Sequence, residues 1–143
     1  MTVREYLNRP EKLKHEILRQ RARAETLRRL SVRYAAPPQE VRVRTSPDPT
    51  RTQEFLAEVA DTEQEILRLE EEQNQAKADT ALFISRLPDE RLIRLLDLRY
   101  LEGLRWEETA AYLGYSISRT YYLHQLALSL LPPPPAVPGE YPR

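Results

Sequence analysis

Between Phe55 and Leu87 the chain repeats a seam at alternating steps of four and three residues: Phe55, Val59, Thr62, Ile66, Leu69, Gln73, Ala76, Thr80, Phe83, Leu87. This stepping holds one face of an α-helix in register for more than four heptads, a run that neither a strand nor a loop pattern sustains. A helix that starts near Thr50, with Gln53 three residues on in a capping-box spacing, is roughly 50 Å long at about 1.5 Å per residue. A chain of 143 residues is too small to cover such a rod on every side. Its apolar stripe therefore has to lie against another helix.

The nearest candidate is the N-terminal segment, where Leu13, Ile17, Gln20, Ala24, Leu27, Ser31 and Tyr34 follow the same stepping. Thr2 and Glu5 have the spacing of a capping box at its start, and Pro10, after Asn8, either kinks the helix or restarts it. Charge favours the pairing. Residues 1–34 carry ten Lys/Arg against four Asp/Glu, residues 51–80 three against nine, and the sum over the whole chain is zero. Residues 35–50, with four prolines and a short VRVR alternation, read as a linker that reverses the chain. An antiparallel hairpin within one chain and a bundle between chains satisfy the seam equally. Gln73 and Thr80 are the polar seam positions expected to set the register.

The residue inventory removes several function classes. With no cysteine there is no disulfide framework, thiolate zinc site or cysteine nucleophile. Three glycines leave neither GxxxxGK nor GxGxxG, so no phosphate loop of those types exists. His15 and His124, the two histidines, sit on separate predicted helices without convincing ligand partners, and no metal site is expected. The reading is of a protein that is not an enzyme, with no catalytic residues and no cofactor. No apolar run approaches the roughly 20 residues of a membrane span, and the opening residues have no signal-peptide character, so the expected location is cytoplasmic.

Residues 88–131 change pattern. Three shorter helices are expected, broken at Glu102-Gly103 and at Gly114-Tyr115. Pro88 suits the first turn of the first, followed by Asp89 and Glu90 at the positive end of its dipole. Leu92, Leu95, Leu96, Leu98 and Leu101 supply apolar contacts. Trp106 to Leu113 forms the second, and Ser116 caps a third that runs to about Leu131. A short helix, a glycine turn and a later helix make a helix-turn-helix, whose later helix enters the major groove of DNA. Trp106, Leu113, Ile117, Thr120, Leu123 and Ala127 can face the small core, and Tyr100, Tyr112 and Tyr115 read as packing residues. Ser118, Arg119, Tyr121, Tyr122 and Gln125 are left pointing outward as a reading face, and Arg91, Arg94, Arg99 and Arg105 are candidates for phosphate contacts.

The stretch LPDERLIRLLDLRYLEGLRWEETAAYLGYSIS resembles the fourth, DNA-binding region of sigma-70-type factors over about a third of the chain. With the upstream seam and the beginning REYLN, the chain resembles small phage (prophage) late-gene regulators of the RinA and ArpU type, and LHQLAL resembles the end of their recognition helix. Two departures stand out: Arg105 takes the place of the usual Ser or Thr cap, and LALSLL lacks the usual basic residues. The resemblance implies a sequence-specific, promoter-binding transcriptional activator in a bacterial host cell. Double-stranded DNA is then its partner, host RNA polymerase a possible second one, and homo-oligomers the expected state.

The sequence therefore reads as all-α: a helical hairpin or coiled coil at 1–87, a sigma-like helix-turn-helix domain at 88–131 and a disordered proline-rich tail at 132–143. Two alternatives remain beside the regulator. One is a protein-interaction module in which the three helices are scaffold. The other is a subunit resembling the phage small terminase, which also joins such a head to an oligomerising helical region.

Overall fold

The computed structural model describes residues 1–35 and 48–138. The chain is all-α, and the described residues contain no strand. The helices are α1 (Val3–Leu7), α2 (Arg9–Ala35), α3 (Pro49–Ile84), α4 (Glu90–Leu96, continued by a π-helical turn Asp97–Leu101), α5 (Trp106–Leu113) and α6 (Ile117–Leu130). The contacts divide into two compact units, Leu13–Glu72 and a second made of Met1–Lys12 with the chain from Gln73 onward.

In the first unit α2 and α3 form an antiparallel helical pair closed within one chain. Arg21 pairs with Glu70 and Arg28 with Glu63, so the advance from Arg21 to Arg28 along α2 matches a retreat along α3. Arg23 adds a pair with Glu58 at 3.7 Å. The Tyr34 and Phe55 rings meet at 5.6 Å, with the Arg51 guanidinium over both. Ile17, Ala24, Leu27 and Ser31 face Val59, Thr62 and Leu69 as the buried stripe. The two buried hydroxyls bond back into their own helices: Ser31 donates to Arg28 O at 2.7 Å and Thr62 to Glu58 O at 2.7 Å. Polar seam positions therefore cost little here, because each finds a carbonyl one turn earlier.

The start of α3 departs from expectation. Asp48, not Thr50, is the cap: its carboxylate accepts from Arg51 N–H at 3.1 Å. Pro49 then occupies the first helical position, where its missing N–H leaves nothing unsatisfied. The VRVR stretch lies outside the described residues.

The second unit is built around Tyr6, Leu7, Phe83, Ile84, Leu87, Leu92, Leu95, Leu96, Tyr100, Leu123, Ala127 and Leu131. The first helix therefore helps to build the core beneath the helix-turn-helix. Its capping box is formed, with Glu5 N–H on Thr2 Oγ1 and Thr2 N–H on Glu5 Oε2, both at 3.1 Å. Tyr6 packs edge-on against Phe83 at 4.9 Å. Asn8 ends α1 and α2 begins at Arg9, so the restart allowed by Pro10 is what occurs. Gln73 donates to Pro10 O at 3.4 Å, and Thr80 is fully buried without a partner for its hydroxyl.

Pro88 is not in the first turn of α4. Asp89 is the cap, accepting from Arg91 N–H at 2.9 Å, and it pushes the proline outside the helix. The π-helical turn follows, in which Glu102 N–H returns to Asp97 O at 2.9 Å and the buried Tyr100 sits. Residues Pro132–Pro138 follow α6 without helix, and Val137 packs on the core. Residues 139–143 lie outside the described part.

Candidate nucleic-acid interface

The turn between α5 and α6 follows from two local features. Gly114 takes φ +75°, which ends α5 in a left-handed cap that favours glycine. Ser116 then accepts from Arg119 N–H at 3.1 Å and starts α6. At the other end of α5 the expected Ser or Thr is replaced by Arg105, whose side chain carries donors only. Glu108 supplies the acceptor instead, taking the Arg105 backbone N–H at 3.2 Å and its Nε at 2.8 Å. The hydrogen bond from Arg105 holds the Glu108 carboxyl below the usual range. Ala110 is buried where α5 meets α6, which lets the two helices approach closely.

One face of α6 is consumed by packing. Thr120, Leu123, His124 and Ala127 are buried, and Thr120 Oγ1 donates to Ser116 O at 2.8 Å. Ser118, Arg119, Tyr121, Tyr122 and Gln125 are all exposed, Tyr122 at 66%. The structure thus brings the five reading-face candidates together along one exposed side of one helix. Leu126 and Leu130 lie exposed on the same helix. Arg105 is exposed at the start of α5 but is tied to Glu108.

Cations on this unit differ in how they are held. Arg91 pairs with Asp89 at 3.0 Å. Arg94 lies over the Tyr112 ring at 5.2 Å, Arg119 over the Tyr115 ring at 5.3 Å and Arg99 over the Trp106 ring at 5.0 Å. Among the described residues none of these last three guanidiniums forms an ion pair with a carboxylate, so their charge is available to an anion.

Two packing expectations are corrected. Tyr112 is 61% exposed, held at the surface under Arg94, and Ile117 is 44% exposed in the first turn of α6. The core position falls to His124 instead, a polar residue that no local pattern marks for burial. It is 3% exposed and shares a 2.6 Å hydrogen bond between Nε2 and the Tyr100 hydroxyl. Trp106 stands edge-on to its ring at 4.6 Å and also meets Tyr121 at 4.9 Å. Burial first, then the charges of Arg4 and Arg99, push the His124 pKa down to about 4, so the ring is neutral at pH 7. Burial raises that of Tyr100.

Beside the Tyr121–Gln125 edge of α6 is a cleft of about 330 Å³ whose lining includes Arg4, Asn8, Arg99 and Trp106. Arg4 and Asn8 had no place in the sequence reading of the site, because nothing local to α1 signals that it closes against α6.

The fold and site define a class: an all-helical chain carrying a helix-turn-helix with an exposed later helix. Comparison with protein families, with curated proteins and with solved structures found no match to this chain. Among the described residues no helix is long and apolar enough to cross a membrane.

Proposed function

We propose that this chain is a sequence-specific DNA-binding regulator of transcription, of the kind that activates late phage genes from the cytoplasm of a bacterial host, with α6 entering the major groove. The observation that carries the reading is the segregation of α6 into a buried stripe and an exposed row of Ser118, Arg119, Tyr121, Tyr122 and Gln125. Those side chains offer what a groove reader uses: a guanidinium for guanine N7 and O6, an amide for adenine, and hydroxyls and rings for thymine methyls and mixed edges. Phosphate contacts come from the guanidiniums that no carboxylate neutralises, Arg94 and Arg99. Pairing of two copies on adjacent half-sites would convert modest single contacts into useful affinity, and RNA polymerase is the partner through which an activator acts.

A low-salt pull-down of random duplexes, followed by sequencing, tests this. The expected result is enrichment of one short motif. Absence of retained DNA at low salt overturns the reading.

A second reading, docking of α6 on a protein, is favoured by one observation. Tyr122, Leu126 and Leu130 expose apolar surface on the helix, and Arg119 is its sole cation. It predicts no DNA enrichment and normal folding of a Leu126→Asp variant.

A further inference from the structure

The cleft beside α6 is lined by cationic, amide and aromatic side chains. Arg4 and Arg99 contribute guanidiniums, Asn8 and Gln125 amides, Tyr121 a phenol, and no Asp or Glu takes part. In a chain whose charges sum to zero, and whose long helices neutralise arginine after arginine with glutamate, this exception is informative. Among the described residues neither Arg4 nor Arg99 has an ion pair, although both charges act on the same Tyr100–His124 pair. Two like charges beside one cleft repel, and an anion between them removes that cost.

Arg99 is also pre-set. Its Nη1 donates to Leu104 O at 3.1 Å, and its guanidinium is stacked over the Trp106 ring at 5.0 Å. Its Nε–H is shielded from water and has no acceptor in the protein. Closed to water, that Nε–H is equally closed to a phosphate in the cleft, so Arg99 meets an anion there by its charge and the remaining edge of its guanidinium. At about 330 Å³ the cleft is large enough for a phosphate group that keeps part of its hydration.

The geometry points to a phosphate seat in this cleft, in which Arg4 of α1 and Arg99 clamp one phosphate of the DNA backbone while the adjacent Tyr121 and Gln125 reach base edges. This assignment rests on the DNA-binding reading for its occupant; the seat itself is defined by phosphate chemistry, which a free phosphate ion shares. It gives α1 a role in recognition as well as in packing.

Arg4→Gln tests it, because Arg4 is exposed and the Thr2–Glu5 capping box does not use its side chain. With the full chain, affinity for an enriched duplex and for an unrelated duplex is measured against salt. Separately, inorganic phosphate is titrated at constant ionic strength while Trp106, the single tryptophan and part of the cleft lining, reports by fluorescence. For a DNA phosphate, Arg4→Gln flattens the plot of log affinity against log salt by about 1 on both duplexes, and Arg4→Lys restores most of the slope. An unchanged slope with a saturable phosphate response of Trp106, present in the wild type and absent in Arg4→Gln, assigns the seat to free phosphate. Identical slopes and identical fluorescence in wild type and Arg4→Gln overturn the seat while the DNA reading stands. A wild type that retains no duplex removes the DNA reading, and the phosphate titration then decides the seat alone.

Discussion

Mild acid should loosen the packing under α6 by an amount the His124 environment sets. The imidazole is 3% exposed, bonded to the Tyr100 hydroxyl, and its pKa is lowered from 6.5 to about 4 by burial and then by Arg4 and Arg99. In the unfolded chain the same ring takes up its proton near the ordinary value; in the folded chain it resists until about pH 4. The stabilisation is therefore complete above pH 6.5 and is lost as the pH falls toward 4. Each unit of pKa difference is worth about 1.4 kcal/mol, which gives a loss of about 3 kcal/mol across the window and about 2 kcal/mol between pH 7 and 5. Glu16, Glu65, Asp89 and Glu108 have lowered pKa values, each led by a side-chain hydrogen bond, so their contribution disappears only at or below the ordinary carboxylate range. Asp97, raised by burial and then by Glu102, has the opposite sign and favours the folded state as it protonates. Comparison with a Tyr100→Phe/His124→Leu double variant cancels these terms, and it leaves no orphaned hydroxyl. Urea unfolding followed by circular dichroism at pH 7 and pH 5 should show the wild type losing about 2 kcal/mol more than the variant. Equal losses would refute the claim that a neutral, buried imidazole supports α6.

Arg119→Ala is expected to weaken binding to the enriched motif by about 1–3 kcal/mol in a mobility-shift titration and to relax the preference at one base pair. Gly114→Ala should cost about 1 kcal/mol, read as a Tm lowered by roughly 3–5 °C, because φ is +75° while a Cβ there meets no atom within 4 Å. A much larger drop would mean that the turn is crowded as well as strained. Leu95→Ala, at a side chain fully buried in the core of the second unit, should cost about 2–5 kcal/mol by denaturant unfolding.

The seam was legible because its information is local and periodic. From Leu13 to Tyr34 and from Phe55 to Leu87, every residue read as a seam position is buried or half-buried. The breaks were legible for a similar reason: Gly103 and Gly114 both take positive φ, and Ser116 is the cap its chemistry indicates. Closure within one chain was not legible, since the same stripe serves a partner chain as well; it took the matched Arg21–Glu70 and Arg28–Glu63 pairs to show the direction. The same limit applies in the second unit. Tyr6 and Leu7 join a core whose other members are more than seventy residues away in sequence, and His124 looks like a surface histidine until the Tyr100 hydroxyl is found beside its ring. Helix period tells which residues share a face and says nothing about which distant face covers them.

Charge shows how far such pairing changes a functional argument. Residues 81–131 carry six basic and six acidic side chains, a balance that by count argues against affinity for a polyanion. The pairing is uneven, however. Arg91 and Arg105 are neutralised by carboxylates two and three residues away, whereas Arg94, Arg99 and Arg119 lean on tyrosine and tryptophan rings. A ring holds a guanidinium in place without cancelling its charge, so these three carry charge that no carboxylate neutralises. With Arg4 brought in from α1, the second unit presents several uncompensated guanidiniums despite its neutral sum. On the DNA-binding proposal, what each of the six cations of residues 81–131 is placed against matters more than how many there are.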